Sequence, residues 1–292
     1  MAGASRRWQV GNVTVSRLVE VGPLEIPPQV LFPQVTEELV RETFWLSPLF
    51  ATADGQIRLN FQCFFLEVAN RKILVDTCVG EHKTLAVEML NNLVTGFLAT
   101  LRAAGAGPEE IDTVLCTHLH FDHVGWNTCL VDGVWQPTFP NARYLFGREE
   151  LAFALASPGH AGDASVVQSV KPVLAAGLAD PVESDHRVCE EIHLVPTPGH
   201  TPGHVSVWIS SQGEEAIITG DALHHPLQLA HPEIVTSFCN EPARGVETRR
   251  RLFRQLADGT VLMIGTHFAD PTAGWVVRDG QSWRLRLDRN DK

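Results

Sequence analysis

Apolar and polar positions alternate through "WQVGNVTVSRLVEV", residues 8–21, and this period of two predicts a strand. Two apolar runs flank "ANRK" in "LNFQCFFLEVANRKILVDTCVG", which predicts a hairpin. "KTLAVEMLNNLVTGFLATLRAAGAG" has helical spacing and closes on glycines, a helix stop. "PEEIDTVLCTHLH" is an acidic lead-in followed by a buried strand, "TVLCTH". "YLFGREELAFALAS" reads as a strand running into a helix. "HLVPTPGHTPGHVSVWISS" and "EEAIITGDALHH" read as strand–loop units. "PARGVETRRRLFRQLADG" is a helix and "TVLMIGTHFAD" a strand. "GWVVRDGQSWRLRL" is a last hairpin that turns at "RDGQ".

One long segment resists this pattern. "VGPLEIPPQVLFPQVTEELVRETFWLSPLFATADGQ" is rich in prolines and aromatics, and it predicts an irregular arm over about residues 22–56. Phe32, Phe44, Trp45 and Phe50 lie in it. The arm either walls an apolar pocket, with Phe44 and Trp45 lining it, or packs in the core or against a second copy in a homodimer.

The pattern ends several strands in a histidine or an aspartate. The densest case is "LCTHLHFDHVGWN", with His118, His120, Asp122 and His123 in six positions. In an extended segment residues two apart share a side, so His118 and His120 face one ion. Asp122 and His123 fall where the chain turns, so they are placed for a second ion. Imidazole nitrogens with a carboxylate suit zinc, and also iron, manganese, cobalt or nickel. Three further donors end buried runs: His200 in "TPGHTPGH", Asp221 in "IITGD" and His267 in "MIGTH".

The remaining histidines carry less. His204 reads as a turn residue or as a partner behind the ligands. His224 and His225 follow Asp221 closely enough to face the site. His82, His160, His186, His193 and His231 fit no pattern and read as surface or packing residues. Cys116 shares a strand face with His118, and burial as a core thiol is its expected role.

Composition narrows the function classes. The chain has 292 residues, 44% of them hydrophobic, enough for a substantial core. The formal charge is −11 and no basic run occurs, which argues against nucleic acid or an anionic membrane as a partner. No stretch has the apolar length of a membrane span, and no secretory signal opens the chain, so a cytoplasmic location is expected. The six cysteines form no C-x-x-C pair and read as reduced thiols.

H-x-H-x-D-H, a histidine in "TPGHTPGH", an aspartate in "GD" and a late histidine together resemble the metallo-β-lactamase superfamily. The motifs span residues 118–267. The resemblance implies an α/β fold, an αβ/βα four-layer sandwich of two mixed β-sheets flanked by helices, as one domain over residues 1–292. It implies two divalent metal ions, with zinc expected. His118, His120 and His200 would hold one, Asp122, His123 and His267 the other, and Asp221 would bridge them. The implied reaction is hydrolysis of a small-molecule lactone or ester by a metal-bridging hydroxide, with Asp122 handling a proton.

Within the superfamily, "HLHFDHVGWN" with the bridging Asp221 is similar to N-acyl homoserine lactonases and to organophosphate hydrolases of the methyl parathion hydrolase type. Lactonases carry a tyrosine three residues after the bridging aspartate; this chain has His224 there, and its one tyrosine is Tyr144. That departure resembles the organophosphate branch, which makes phosphotriester hydrolysis the alternative. His224 is expected to donate to a substrate oxygen, and Trp126 to line the pocket mouth. A β-lactamase, a glyoxalase II-like thioesterase and a mono-iron oxygenase are weaker readings. Asp221, the short C-terminal region and the complete ligand set argue against each in turn.

Overall fold

In the computed structural model residues 6–156 and 164–288 are described; His160 lies outside them. The chain divides into two compact units, Met1–Val21 with Phe61–His186, and Gly22–Asn60 with Arg187–Lys292. The fold is α/β, with two mixed sheets and flanking helices.

The first unit is built on a seven-stranded sheet in the order β1-β2-β3-β4-β5-β8-β9. Its strands are β1 Arg7–Val10, β2 Val13–Ile26, β3 Ile57–Val68, β4 Arg71–Val75 and β5 Thr113–Cys116. After the small hairpin β6 Thr128–Val131 and β7 Val134–Pro137 come β8 Arg143–Gly147 and β9 Ala179–Val182. From β4 through β9 the neighbours pair in parallel. All four residues of β5 are buried, as expected of a parallel strand covered on both faces. Phe65, Leu74, Val114, Tyr144 and Phe146 belong to one core cluster with Cys116. Tyr144 Oη accepts from Phe139 N–H (3.0 Å) and donates to Asn127 O (3.1 Å), which satisfies a buried phenol.

Three expectations need correction here. Residues 8–21 form two strands: Val10 pairs with Val13 across Gly11–Asn12, a two-residue turn that the regular alternation conceals. Residues 83–107 are not one helix; only Phe97–Ala104 is α-helical, between Gly96 (φ +72°) and Gly105 (φ +118°). Upstream, side chains compete for the backbone. Glu81 Oε1 accepts from Thr95 N–H and Gly96 N–H, and Asn91 Oδ1 accepts from Leu85 N–H. The arm, in the second unit, is more regular than expected. Helix Pro28–Leu31 is followed by Glu37–Glu42, whose Leu39 N–H donates to the capping Thr36 hydroxyl. Phe32 and Phe50 of the arm are buried.

The second unit is built on a six-stranded sheet: β10 Ile192–Pro196, β11 Val205–Ser211, β12 Glu214–Ile218, β13 Asp258–Ile264, β14 Ala273–Asp279 and β15 Ser282–Arg286, in that order. Only β12 and β13 pair in parallel, and helix Pro242–Leu256 connects them. That helix buries Gly245, Thr248, Arg249, Leu252, Phe253 and Leu256, a stripe at helical spacing. A β-carbon on Gly199, at φ +136°, would lie 2.2 Å from Gly245 N, so the loop before His200 needs glycine. No helix among the described residues is long and apolar enough to cross a membrane.

Candidate metal centre

In the first unit the donors follow one strand end. β5 stops at Cys116, and His118 and His120 come next, their rings 4.6 Å apart between centroids. The short helix Phe121–Val124 then turns the chain and lifts Asp122 and His123. The rings of His118 and His123 lie 4.0 Å apart, and His123 Nε2 is 3.7 Å from Asp122 Oδ2. The motif therefore brings all four of its donors together, three imidazoles and a carboxylate. His118 and His123 are fully buried.

What fixes these rings is a residue that the sequence reading missed. Asp76 is fully buried just past β4, and its Oδ2 accepts from His123 Nδ1 at 2.9 Å. Asp76 Oδ1 also accepts from Thr117 N–H at 2.8 Å, and both its oxygens lie within reach of the Thr117 hydroxyl. With Nδ1 committed as a donor, His123 presents Nε2 as its lone-pair nitrogen. The available signal was an aspartate closing the apolar run "ILVD". Glu150 adds a second tie, since its Oε1 accepts from Leu119 N–H at 3.1 Å.

In the second unit the donors come from separate strand ends and meet at Asp221. His200 Nε2 lies 3.3 Å from Asp221 Oδ2, His224 Nε2 3.1 Å from the same oxygen, and His267 Nε2 3.1 Å from Oδ1. All four residues are buried. His200, Asp221 and His224 offer ligand atoms within 4.8 Å of one another, a set able to hold a metal ion. His267 Nδ1 donates to Asn60 O at 2.9 Å, which turns Nε2 inward. His200 Nδ1 faces Cys239 Sγ at 3.7 Å.

His204 lies behind this group. Its Nε2 accepts from Asp221 N–H at 2.8 Å, so Nδ1 carries the proton and reaches Thr197 O at 3.1 Å. Thr197 Oγ1 then contacts Ser206 Oγ, which donates to Thr219 O, two residues before Asp221. The turn that presents Asp221 is thus closed by a circuit of hydrogen bonds. Of the two readings of His204, turn residue or partner behind the ligands, these hydrogen bonds match the second. His225 points elsewhere: its Nε2 donates to Phe50 O at 2.8 Å, and burial pulls its pKa down to about 4. Burial also lowers the pKa of His224, against the pull of the Asp221 carboxylate.

The structure places Trp126 in the core of the first unit. It is 3% exposed, stacked on Phe97 with centroids 5.4 Å apart, and its indole N–H donates to half-buried Glu20. This departs from its expected position at a pocket mouth: the indole tie to Glu20 and the Phe97 stack hold it inside. Phe44 is 80% exposed and Trp45 is half-buried. Cys116 is a core thiol whose pKa burial raises.

The profile of the metallo-β-lactamase superfamily matches residues 61–290, and the chain belongs to that superfamily. Among its relatives, an N-acyl homoserine lactonase of Bacillus thuringiensis is 27% identical over 179 residues, 57% of this chain and 65% of the relative. The lactonase AttM of Rhizobium radiobacter is 26% identical over 57% of this chain and 62% of its own length. The chain thus spans less than two thirds of the length of these curated relatives. Among solved structures, the hydrolase AbOPH of the β-lactamase superfamily superposes with a TM-score of 0.80 at 23% identity, over 100% of this chain and 99% of that one. AidC, a dizinc quorum-quenching lactonase in complex with a product, superposes with a TM-score of 0.78 at 19% identity, over 97% of both chains.

Proposed function

We propose that this protein is a dinuclear metal-dependent hydrolase of small lactones or related esters, with zinc as its metal. The observation that carries the reading is the Asp221 carboxylate, met by three imidazole nitrogens at 3.1–3.3 Å on its two oxygens. A carboxylate so surrounded is suited to bridge two cations. The donors are nitrogen and oxygen only, which fits zinc. His118, His120 and His200 would hold one ion, Asp122, His123 and His267 the other, and Asp221 both. Bound there, the ions would supply Lewis acidity toward the substrate oxygen and lower the pKa of water.

The chain's own residues have separate tasks. Asp76 keeps the His123 ring in one tautomer and orientation. His204 and the Asn60 carbonyl do the same for the Asp221 backbone and the His267 ring. Asp122, 11% exposed at the edge of the donor group, is placed to accept or deliver a proton. The lactonase relatives support a lactone as substrate, and the net charge of −11 disfavours large polyanions.

The test combines metal content with turnover. About two ions per chain are expected, as in two-metal sites. Acyl lactones of varied chain length, followed through acid release, should turn over fastest in a panel with aryl esters, phosphotriesters and a β-lactam. Full activity with one ion per chain would refute the dinuclear reading. A second reading comes from His224, three residues after Asp221, a spacing that resembles the organophosphate branch. Faster turnover of aryl phosphotriesters than of any lactone would establish that reading instead.

A further inference from the structure

We propose that His224 is itself a metal ligand, its Nε2 binding the same ion as His200 Nε2 and Asp221. This adds a donor to the seven of the motif. It rests on the reading that His200 and Asp221 bind metal, but not on the number of ions or on the reaction.

The distances carry the first part of the argument. That ion already has four donors in the reading above, so His224 makes it five-coordinate, and neighbouring ligand atoms bonded at about 2.0–2.1 Å then stand about 2.8–3.6 Å apart. His200 Nε2 and His224 Nε2 lie 3.3 and 3.1 Å from the one oxygen, Asp221 Oδ2. Their rings are 4.8 Å apart at 63°. The three ligand atoms lie within 4.8 Å of one another, and all three residues are buried. An unprotonated imidazole nitrogen and a carboxylate oxygen at such a distance repel unless a proton or a cation lies between them.

The second part is the contrast with the neighbouring histidines. His225 is locked as an Nε2–H donor, by Phe50 O on one side and Leu227 N–H on the other. His204 is locked as an Nε2 acceptor. His224 has no such lock, because its buried Nδ1 has no hydrogen-bond partner among the described residues. Without an ion Nε2 carries the proton toward Asp221 Oδ2, and an ion bound there would take its place and move it to Nδ1. Its position is nonetheless fixed. The His224 N–H donates to Gln228 Oε1 at 2.7 Å, and Gln228 Nε2 donates to Ile234 O at 2.9 Å. The His267 ring lies parallel at 5.7 Å. A buried, positioned imidazole directed at a carboxylate that two other imidazoles also face is placed as a ligand. An extra nitrogen would tighten the hold on that ion.

The experiment uses the full chain, stripped of metal and reloaded with Co2+ or Zn2+. Graded chelator competition on wild type and His224→Phe should show at least about tenfold weaker retention of one ion in the variant, the lower end of what even outer partners contribute. The Co2+ absorption spectrum should change with it. In 15N-histidine-labelled wild type, adding Zn2+ should leave His224 Nε2 without a proton. Unchanged retention and an unchanged Co2+ spectrum in the variant would overturn the proposal. If His224→Phe does not fold, the wild-type spectrum decides: a proton still coupled to Nε2 in the Zn2+-loaded protein overturns it. Uptake of a single ion by wild type would end the dinuclear reading while His224 is still read on that ion; uptake of none ends both.

Discussion

The two sets of donors reach a similar arrangement by opposite means. In the first unit four donors come from six consecutive positions, and side-chain carboxylates hold them: Asp76 on His123 and Thr117, Glu150 on Leu119. In the second unit the donors come from three strand ends, and the supports are a backbone carbonyl under His267 and an imidazole under the Asp221 amide. A contiguous motif needs one strand to end correctly. A dispersed one needs several turns to close together, so more of its support lies in the backbone. Single side-chain substitutions should therefore reach the first set mainly through its carboxylate, and the second mainly through Asp221 and His204.

The largest expected effect is at Asp221, where the dispersed donors converge. Asp221→Asn keeps the shape and removes the charge that three imidazoles face. Turnover should fall on the order of 10²–10³-fold, the scale of losing one well-placed electrostatic group. Near-normal turnover of the best substrate in steady-state assays would show that the carboxylate is not central. Asp76→Asn comes next. It should weaken retention of the ion held through His123 by about 10–100-fold, the range for an outer partner of a ligating histidine. Chelator competition reads this directly, and equal weakening of both ions would show that Asp76 does not act through His123.

His204 tests the other set more gently. His204→Ala leaves the buried Asp221 N–H without its acceptor and should cost about 1–3 kcal/mol in denaturant unfolding. His204→Gln carries both an acceptor and a donor, and should recover part of that loss. If Gln behaves like Ala, packing of the ring rather than the hydrogen-bond circuit supports the turn.

The same contrast governs what the sequence revealed. His118, His120, Asp122 and His123 are legible because strand period and a turn place them locally. The strands that lead to His200, Asp221 and His267 are legible as apolar runs, but their order in the sheet is not. The supports are not. Asp76 meets His123 across 47 residues and His204 meets Asp221 across 17, so only the closed fold reveals them. The small hairpin after the motif carried a visible "DG" turn, with Asp132 and Gly133 at positive φ, yet its weak alternation hid it. Trp126 was ambiguous because an indole suits a pocket rim and a core equally, and burial by Phe97 and Glu20 decided it.

Each unit buries a cation whose pKa the interior lowers. Arg249 donates to the carbonyls of Ala222, Pro232 and Ile234, beside the Asp221 turn, and burial lowers its pKa only to about 10. Lys83 donates to Thr128 O and Oγ1 and sits 3.5 Å from the Trp135 ring centre, and burial lowers its pKa to about 7. An unfolded lysine titrates near 10.4. Between about 7 and 10.4 the unfolded chain therefore binds one more proton than the folded one, and stability contributed by Lys83 rises with pH across that window. Below about 7 both states are protonated and the cost of burying the charge is constant. Lys83→Met should remove the rise. Urea unfolding of both proteins from pH 6 to pH 10 checks this, and parallel curves would show that Lys83 keeps its charge over Trp135 throughout.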